Sequence, residues 1–171
     1  MATLEWSDAL ALQVPRMDAT HREFVDLLAA VEAAPDAQLA ALWQDLMVHT
    51  EAHFGQEDRW MQATGFAADN CHATQHKVVL EIMREGGKRY AEGDASMIRG
   101  MTPELASWFS YHAQTMDAAL AHHMHSLGFD PETEAPVLPA DGLQAPIHGC
   151  GGACASPAAT AVPQAQAQAA L

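Results

Sequence analysis

The chain has 171 residues, of which 49% are hydrophobic and 18% are charged, and its formal net charge is −14 at pH 7. This size and composition indicate one globular domain and exclude a collagen-like or wholly disordered chain. The negative charge argues against binding to nucleic acid or an anionic membrane, where affinity comes from Lys and Arg, and three cysteines are too few for a disulfide-stapled secreted scaffold.

The N-terminal residues predict an arm that lies across the rest of the fold and carries no targeting signal. Glu5 and Asp8 stand in a stretch that has no basic residue, so we expect no signal peptide and a cytoplasmic protein. The residues expected to hold the arm in place are hydrophobic, namely Leu4, Trp6, Leu10 and Leu12.

Two helices are predicted in the first half of the chain, where apolar residues recur at helical spacing. Asp18 is placed to cap the first helix, which should run to about Ala34. Pro35 and Asp36 should start the second helix, which we expect to end near Thr64, before Gly65.

Two more helices are predicted in the second half. Asp69 or Asn70 is placed to cap the third helix, which should end near Tyr90. A loop containing Gly93 and Gly100 should follow. The sequence Thr102-Pro103-Glu104 combines a capping hydroxyl, a proline at the first helical position and an acid in the first turn, so we expect the fourth helix to start there and end at Gly128.

These elements predict an all-α protein: an up-down-up-down four-helix bundle over residues 1–129 with a flexible tail over residues 130–171. Short loops between four helices favour that topology. The last 42 residues contain 12 Ala, 6 Pro and 4 Gly and no Lys, Arg, Phe, Tyr or Trp, too little apolar area to offset the entropy of ordering. Three prolines also break the uncharged stretch 142–171, so we expect no membrane span.

Histidines and carboxylates recur on all four predicted helices. Residues four apart on a helix differ by about 40° around the axis and roughly 6 Å along it, so they share one face. Each helix therefore offers at least one imidazole or carboxylate, and two helices offer pairs. The candidates, in chain order, are His21, then His53 and Glu57, then His72 and His76, then His112 and Asp117.

Five imidazoles and two carboxylates in a bundle core predict a metal site. Buried without a partner, such polar groups would be costly, and metal coordination removes most of that cost. This donor set suits Fe, Zn, Cu or Ni and lacks the thiolates of a structural zinc site. Seven ligands are too many for one tetrahedral ion. The seven side chains suit two six-coordinate ions that both carboxylates bridge. Together with a shared oxo or hydroxo group, they fill all the coordination positions except one. That open position is where O₂ could bind.

The five-residue step from His112 to Asp117 predicts a local distortion of the fourth helix. On an ideal α-helix the two side chains would stand about 140° apart, which is a poor shared face. We therefore expect an irregular turn, such as a π-bulge, near Thr115.

The chain resembles the hemerythrins, specifically the single-domain bacterial hemerythrins, over about residues 6–129. The resemblance implies a four-helix bundle with a non-haem di-iron site that binds O₂ reversibly. It further implies that His72, His76 and His112 hold one iron, that His21 and His53 hold the iron with the open position, and that Glu57 and Asp117 bridge the two. The stretches that carry it are Met17–Phe24, His49–Glu57, His72–His76 and Trp108–Asp117.

This resemblance favours a binding protein that carries, stores or senses O₂, and not an enzyme. Two alternatives use the same site: a di-iron redox enzyme, such as a peroxide or nitric oxide reductase or an oxidase, and a protein for iron buffering or donation. A carrier must keep water and reductants from its bound O₂, so we expect a dry pocket near the ligands. Candidates for its walls are Phe24, Phe54, Trp108 and Met116, although ordinary core packing is the favoured role of each one taken alone.

Other reactive side chains receive simpler interpretations. His49, one turn before His53, could support a ligand from behind or be exposed, and we favour an exposed position. His122, His123 and His125 lie in the last turns of the fourth helix, where partial positive charge suits the helix dipole. In the tail, Cys150 and Cys154 near His148 could bind a soft metal, form a disulfide or contact a redox partner.

Overall fold

A computed structural model describes residues 4–66 and 71–135 of the chain, which form an all-α four-helix bundle. A short 3₁₀ turn, Asp8–Leu10, precedes α1, Pro15–Ala33. The next two helices are α2, Asp36–Ala63, and α3, Cys71–Ala91. The fourth helix, α4, is α-helical over Ser96–His112, π-helical over Ala113–Asp117 and α-helical again over Ala118–Leu127. Each helix packs on the next, and α1 packs on α4. Within these ranges, no helix is long and apolar enough to cross a membrane.

Two predicted helix starts are wrong. α1 begins at Pro15, whose missing N–H needs no partner, and the Asp18 carboxylate instead accepts the backbone N–H of Leu12 at 2.7 Å. α4 begins at Ser96, whose backbone N–H is bonded by the side chain of Asp94 at 2.8 Å.

The Thr102-Pro103 signal therefore lies inside a helix. The hydroxyl of Thr102 donates back to the carbonyl of Ile98 at 2.9 Å, so it does not cap a helix start. Burial of Ile98 and Met101 in the core outweighs the hydrogen bond that Pro103 cannot make. Gly100, expected in the loop, is helical as well.

The remaining helix ends agree with the sequence. α2 starts after Pro35 and is followed by Gly65 at φ +69°, and α4 ends at Gly128 at φ +66°. The left-handed conformation of both glycines is the usual way to end a helix. The predicted cap of α3, Asp69 or Asn70, lies outside the described residues.

The predicted distortion near Thr115 is confirmed as a π-helical segment over Ala113–Asp117. The hydroxyl of Thr115 donates to the carbonyl of Tyr111 at 2.7 Å within this irregular turn. The extra residue brings Asp117 round to the same interior face as His112, and both side chains are buried.

Two hydrophobic clusters fill the bundle, one on each side of a polar layer. The larger cluster is built around Phe24, Leu46, Met83 and Phe109. The smaller one lies at the opposite end, where α1 begins and where α2 and α4 finish. Its members are Val14, Met17, Trp60, Met61, Phe66, Leu120, Ala121, Met124 and Phe129. On α1, for example, His21 stands between Met17 of the smaller cluster and Phe24 of the larger one.

Both ends of the described chain are attached to the bundle. The predicted arm is present: Leu10 is buried, Leu4 and Trp6 pack on the larger cluster, and Leu12 packs on the smaller one. After α4, residues 130–135 lie against α1 and α2. Arg59 makes two hydrogen bonds to the carboxylate of Glu134, at 3.0 and 3.4 Å. The rest of the predicted tail lies outside the described residues.

Replacing Gly86 by Ala is expected to destabilise the protein, whereas the same change at Gly100 should stabilise it. A Cβ at Gly86 would lie 3.3 Å from the Trp43 ring and 3.2 Å from Met101. The ring cannot move aside easily, because it is buried and its N–H donates to the carbonyl of Met83 at 3.2 Å. Overpacking of this kind costs about 1–3 kcal/mol.

The control, Gly100→Ala, has no atom within 4 Å of the new Cβ, so only the higher helix propensity of Ala remains, about 0.5–1 kcal/mol in favour. Urea unfolding of the two variants measures both effects. An equal gain in the free energy of unfolding for both would contradict close packing at Gly86.

Candidate metal centre

All seven predicted site residues meet in the polar layer between the two hydrophobic clusters. α1 supplies one of them, and α2, α3 and α4 supply two each. Every one of these side chains is buried, with an exposed fraction of 2% or less. They are His21, His53, Glu57, His72, His76, His112 and Asp117.

The carboxylate of Glu57 stands between two groups of imidazoles. One oxygen, Oε1, lies 3.0 Å from Nε2 of His53 and 3.7 Å from Nε2 of His21. The other oxygen, Oε2, lies 3.1 Å from Nε2 of His72 and 3.3 Å from Nε2 of His76. The geometry therefore divides the donors into two sets that share one carboxylate.

Asp117 spans the same two sets from the opposite side, on α4. Its Oδ2 lies 3.3 Å from Nε2 of His21, and its Oδ1 lies 3.0 Å from Nε2 of His72 and 3.1 Å from Nε2 of His112. Despite these short distances, neither carboxylate oxygen of Asp117 makes a hydrogen bond to any described residue. The Asp117 oxygens therefore have unused lone pairs in the centre of the layer.

The surrounding imidazoles favour the ionised form of both buried carboxylates. Burial alone would raise the pKa of Glu57, but His53, His21 and His72 hold it well below its usual value. Burial and the charge of Glu57 would raise the pKa of Asp117, yet His112 and His21 hold it well below its usual value too. Conversely, burial would lower the pKa of His21, but the neighbouring carboxylates of Asp117 and Glu57 raise it to about 9.

These residues fit a metal pair better than they fit a hydrogen-bonded core. The Nε2 atoms of His76 and His112 lie 3.1 Å apart, although at most one of them can donate to the other. The Nε2 of His21 has no hydrogen-bond partner among the described residues. Imidazole nitrogens and carboxylate oxygens that converge in this way are the usual ligands of first-row transition metals. Two groups of converging ligand atoms share Glu57, one with His21 and His53 and the other with His72, His76, His112 and Asp117.

Aromatic rings cover the layer as the sequence predicted, with one addition. Phe54 stacks on His76 at 3.9 Å between ring centroids, and Trp108 stacks on His112 at 4.5 Å. Phe24 lies 6.5 Å from His53. Met116 is also buried, next to Asp117 in the chain.

The addition is Phe109, which the sequence analysis did not single out. Its ring meets His21 edge-on at 5.2 Å and stacks on Phe24 at 4.5 Å. Its position three residues before His112, on the same face of α4, is the sequence signal that could have identified it.

Three polar residues around the candidate ligands were also missed or misread. Gln75 accepts hydrogen bonds from Trp108 and His112, and Asp58 Oδ1 lies 3.5 Å from Nδ1 of His76. The prediction that His49 is exposed is wrong: its side chain is 14% exposed, and its Nε2 donates to the carbonyl of Thr20 at 3.1 Å. These contacts join different helices, so spacing along one helix carries no signal for them.

The three histidines near the end of α4 do not enter a metal-ligand cluster in the described chain. His123 is buried, and its Nε2 donates to the carbonyl of Thr64 at 3.0 Å, so it satisfies a carbonyl at the end of α2. The tail residues His148, Cys150 and Cys154 lie outside the described residues.

Comparison with known proteins identifies the family. The sequence model of the hemerythrin HHE cation binding domain matches residues 13–125. The bacteriohemerythrin of Ralstonia nicotianae is 36% identical over 135 residues, which cover 79% of this chain and 98% of that protein. The bacteriohemerythrin of Stenotrophomonas maltophilia is 27% identical over 127 residues, 71% of this chain and 81% of that protein. The bacteriohemerythrin of Pseudomonas paraeruginosa is 25% identical over 137 residues, which cover 74% of this chain and 88% of that protein. The chain belongs to the hemerythrin family of cation-binding domains.

Proposed function

We propose that this chain holds two iron ions in the polar layer and binds O₂ reversibly there. His72, His76 and His112 would hold one ion, His21 and His53 the other, and the carboxylates of Glu57 and Asp117 would bridge them. When bound, a reduced iron pair supplies reversible coordination of O₂ with exchange of two electrons.

The observation that carries the proposal is the position of Glu57 between the two sets of imidazoles. Its two oxygens face different sets, 3.0 Å from His53 on one side and 3.1 Å from His72 on the other. A single ion would need only one of these sets. A carboxylate shared by two sets favours a bridged pair of ions over a mononuclear site.

The two sets are unequal, which favours O₂ binding at one end. Three imidazoles surround one position and only two surround the other, so the end with His21 and His53 keeps room for an external ligand. Phe24 and Phe109, both almost completely buried, stack on each other beside these two histidines. Apolar walls there exclude water, which a carrier needs in order to release O₂ unchanged.

The test measures iron per chain, together with visible spectra of the reduced protein cycled between argon and air. Reversible binding predicts two irons per chain and a charge-transfer colour that forms in air and bleaches under argon. One-way oxidation in air would contradict reversible binding and favour the redox enzyme. Ready loss of iron to weak chelators would favour iron buffering or donation. Absence of iron would overturn the proposal.

Phe109→Leu is expected to speed irreversible oxidation of the air-exposed reduced protein about tenfold, which corresponds to about 1.4 kcal/mol of barrier. The smaller side chain would open space beside His21 and admit water to the two-imidazole end. The decay of the O₂-dependent absorbance at constant temperature gives the rate.

The matched control is Phe66→Leu in the smaller hydrophobic cluster. Phe66 and Phe109 are buried to nearly the same extent, 2% and 1% exposed, but the Phe66 ring packs on His123 and makes no ring contact with a candidate ligand among the described residues. If both variants oxidised equally fast, general loosening of the fold would explain the effect, and the proposed wall would not.

A further inference from the structure

The side-chain amide of Gln75 joins a tryptophan to one of the candidate ligands. Its Oε1 accepts a hydrogen bond from Nε1 of Trp108 at 3.1 Å and lies 3.2 Å from Nδ1 of His112. The indole ring of Trp108 also stacks on the His112 imidazole, with 4.5 Å between ring centroids and 29° between planes. His112 is therefore restrained at its outer nitrogen and on one ring face.

The chemistry of the three groups fixes where the protons lie. An indole N–H can only donate, so the Gln75 atom that faces Trp108 must be the carbonyl oxygen and cannot be the NH₂ group. The same oxygen faces Nδ1 of His112, so that nitrogen must carry a proton to make a hydrogen bond. A neutral imidazole protonated on Nδ1 has its lone pair on Nε2. Nε2 is the atom that points into the polar layer, 3.1 Å from Oδ1 of Asp117.

We propose that Trp108 and Gln75 act in series as positioning residues that fix the tautomer and ring orientation of His112 for metal binding. Trp108 orients the amide of Gln75, and Gln75 keeps the proton of His112 on Nδ1, away from the metal. This inference rests on the proposed function, because it takes His112 as a ligand of the three-imidazole ion.

This arrangement distinguishes the two ends of the centre. At the three-imidazole end, Nδ1 of His112 has the amide oxygen of Gln75, while Nδ1 of His76 lies 3.5 Å from the carboxylate of Asp58 and makes no hydrogen bond to it. At the two-imidazole end, Nδ1 of His21 and of His53 have no hydrogen-bond partner among the described residues. Acceptors on the outer nitrogen make a ligand imidazole more basic. An ion at the His112 end should therefore depend on the Gln75 acceptor for part of its affinity.

Three variants test whether Trp108 acts on His112 through Gln75. Gln75→Leu removes the acceptor, Gln75→Glu keeps an oxygen that both N–H groups can reach, and Trp108→Phe keeps a stacking ring but loses the N–H. The matched control is Gln62→Leu, the same substitution at an exposed position on α2. Each protein is studied iron-free and after loading with ⁵⁷Fe.

The first readout needs no iron. In iron-free protein with ¹⁵N-labelled histidine, NMR at neutral pH reports which nitrogen of His112 carries the proton. Wild type, Gln75→Glu and Gln62→Leu should show His112 protonated on Nδ1. Gln75→Leu should show a mixture of tautomers. Trp108→Phe should show a smaller change in the same direction, because without the indole N–H the side-chain amide of Gln75 can rotate and present its NH₂ group to His112.

The second readout uses the loaded protein. Loss of the acceptor should weaken retention of one iron against a chelator about 10- to 100-fold, with recovery in Gln75→Glu. The Mössbauer signal of one iron should change while that of the other stays constant. Adding Trp108→Phe to Gln75→Leu should have almost no further effect, because the indole acts through the amide.

The outcomes separate this inference from the proposed function. If wild type binds no iron, the proposed function fails. If wild type binds two irons but Gln75→Leu keeps the wild-type tautomer, iron retention and Mössbauer spectrum, only the inference fails. Equal changes in both iron signals, or no rescue by Gln75→Glu, would mean that Gln75 merely supports the packing of α3, and would overturn a positioning role.

Discussion

Removal of iron is expected to lower the melting temperature of the protein by roughly 10 °C or more. Bound metal stabilises a fold by about 4 kcal/mol when the free metal is about a thousand times its Kd. For a domain of this size each kcal/mol corresponds to roughly 2–8 °C. The physical reason is the polar layer itself. Seven side chains no more than 2% exposed lie there, and among the described residues neither oxygen of Asp117 and neither ring nitrogen of His21 has a hydrogen-bond partner without the metal.

Calorimetry of the loaded and chelated protein at one pH measures this effect. The chelator also needs a control, because it could act on the protein directly. A variant that cannot bind the metal pair, such as Glu57→Gln below, should melt at the same temperature with and without chelator. Equal melting temperatures for loaded and chelated wild type would contradict a buried site that depends on metal.

Glu57→Gln is expected to abolish binding of the metal pair. The amide is nearly the same size, but it removes the negative charge that faces both sets of imidazoles, between His53 at 3.0 Å and His72 at 3.1 Å. Its NH₂ group, which cannot coordinate, would also take the place of one carboxylate oxygen. We expect iron to fall from two per chain to less than one, with no O₂-dependent colour, measured by metal analysis after desalting.

Glu51→Gln provides the matched control on the same helix. Glu51 is exposed, and within the described residues it pairs with the exposed Arg84 at 2.8 Å, so its loss should cost less than about 1 kcal/mol and leave two irons in place. Retention of both irons by Glu57→Gln would exclude the bridging role and would require the two sets of imidazoles to bind their ions independently.

Much of this architecture could be predicted from the sequence because it depends on periodicity along single helices. The four-residue steps from His53 to Glu57 and from His72 to His76 place each pair on one face whatever the tertiary structure. The five-residue step to Asp117 similarly required an irregular turn, and the π-helical segment supplies it. Identical reasoning about apolar spacing predicted the bundle.

The errors arose where contacts between elements decide the outcome. Thr102-Pro103 has the local chemistry of a helix start, but burial of Ile98 keeps the preceding turn helical. Asp18 has the chemistry of a cap, but its partner is the arm. Gln75 was missed because its partners lie on α4, more than thirty residues away. Local propensity cannot report such contacts.

The π-helical segment bears on how this chain would tolerate the deletion of one residue. A five-residue step through a π turn returns to nearly the same face as a four-residue step through an α turn. The same face of α4 therefore points to the core on both sides of Ala113–Asp117. Phe109 and His112 are buried before this segment, and Leu120 and Met124 are buried after it. The extra residue is confined to one turn, where the Thr115 hydroxyl satisfies the Tyr111 carbonyl. Loss of one residue at this point, with the π turn becoming an α turn, would thus keep the register of both hydrophobic clusters.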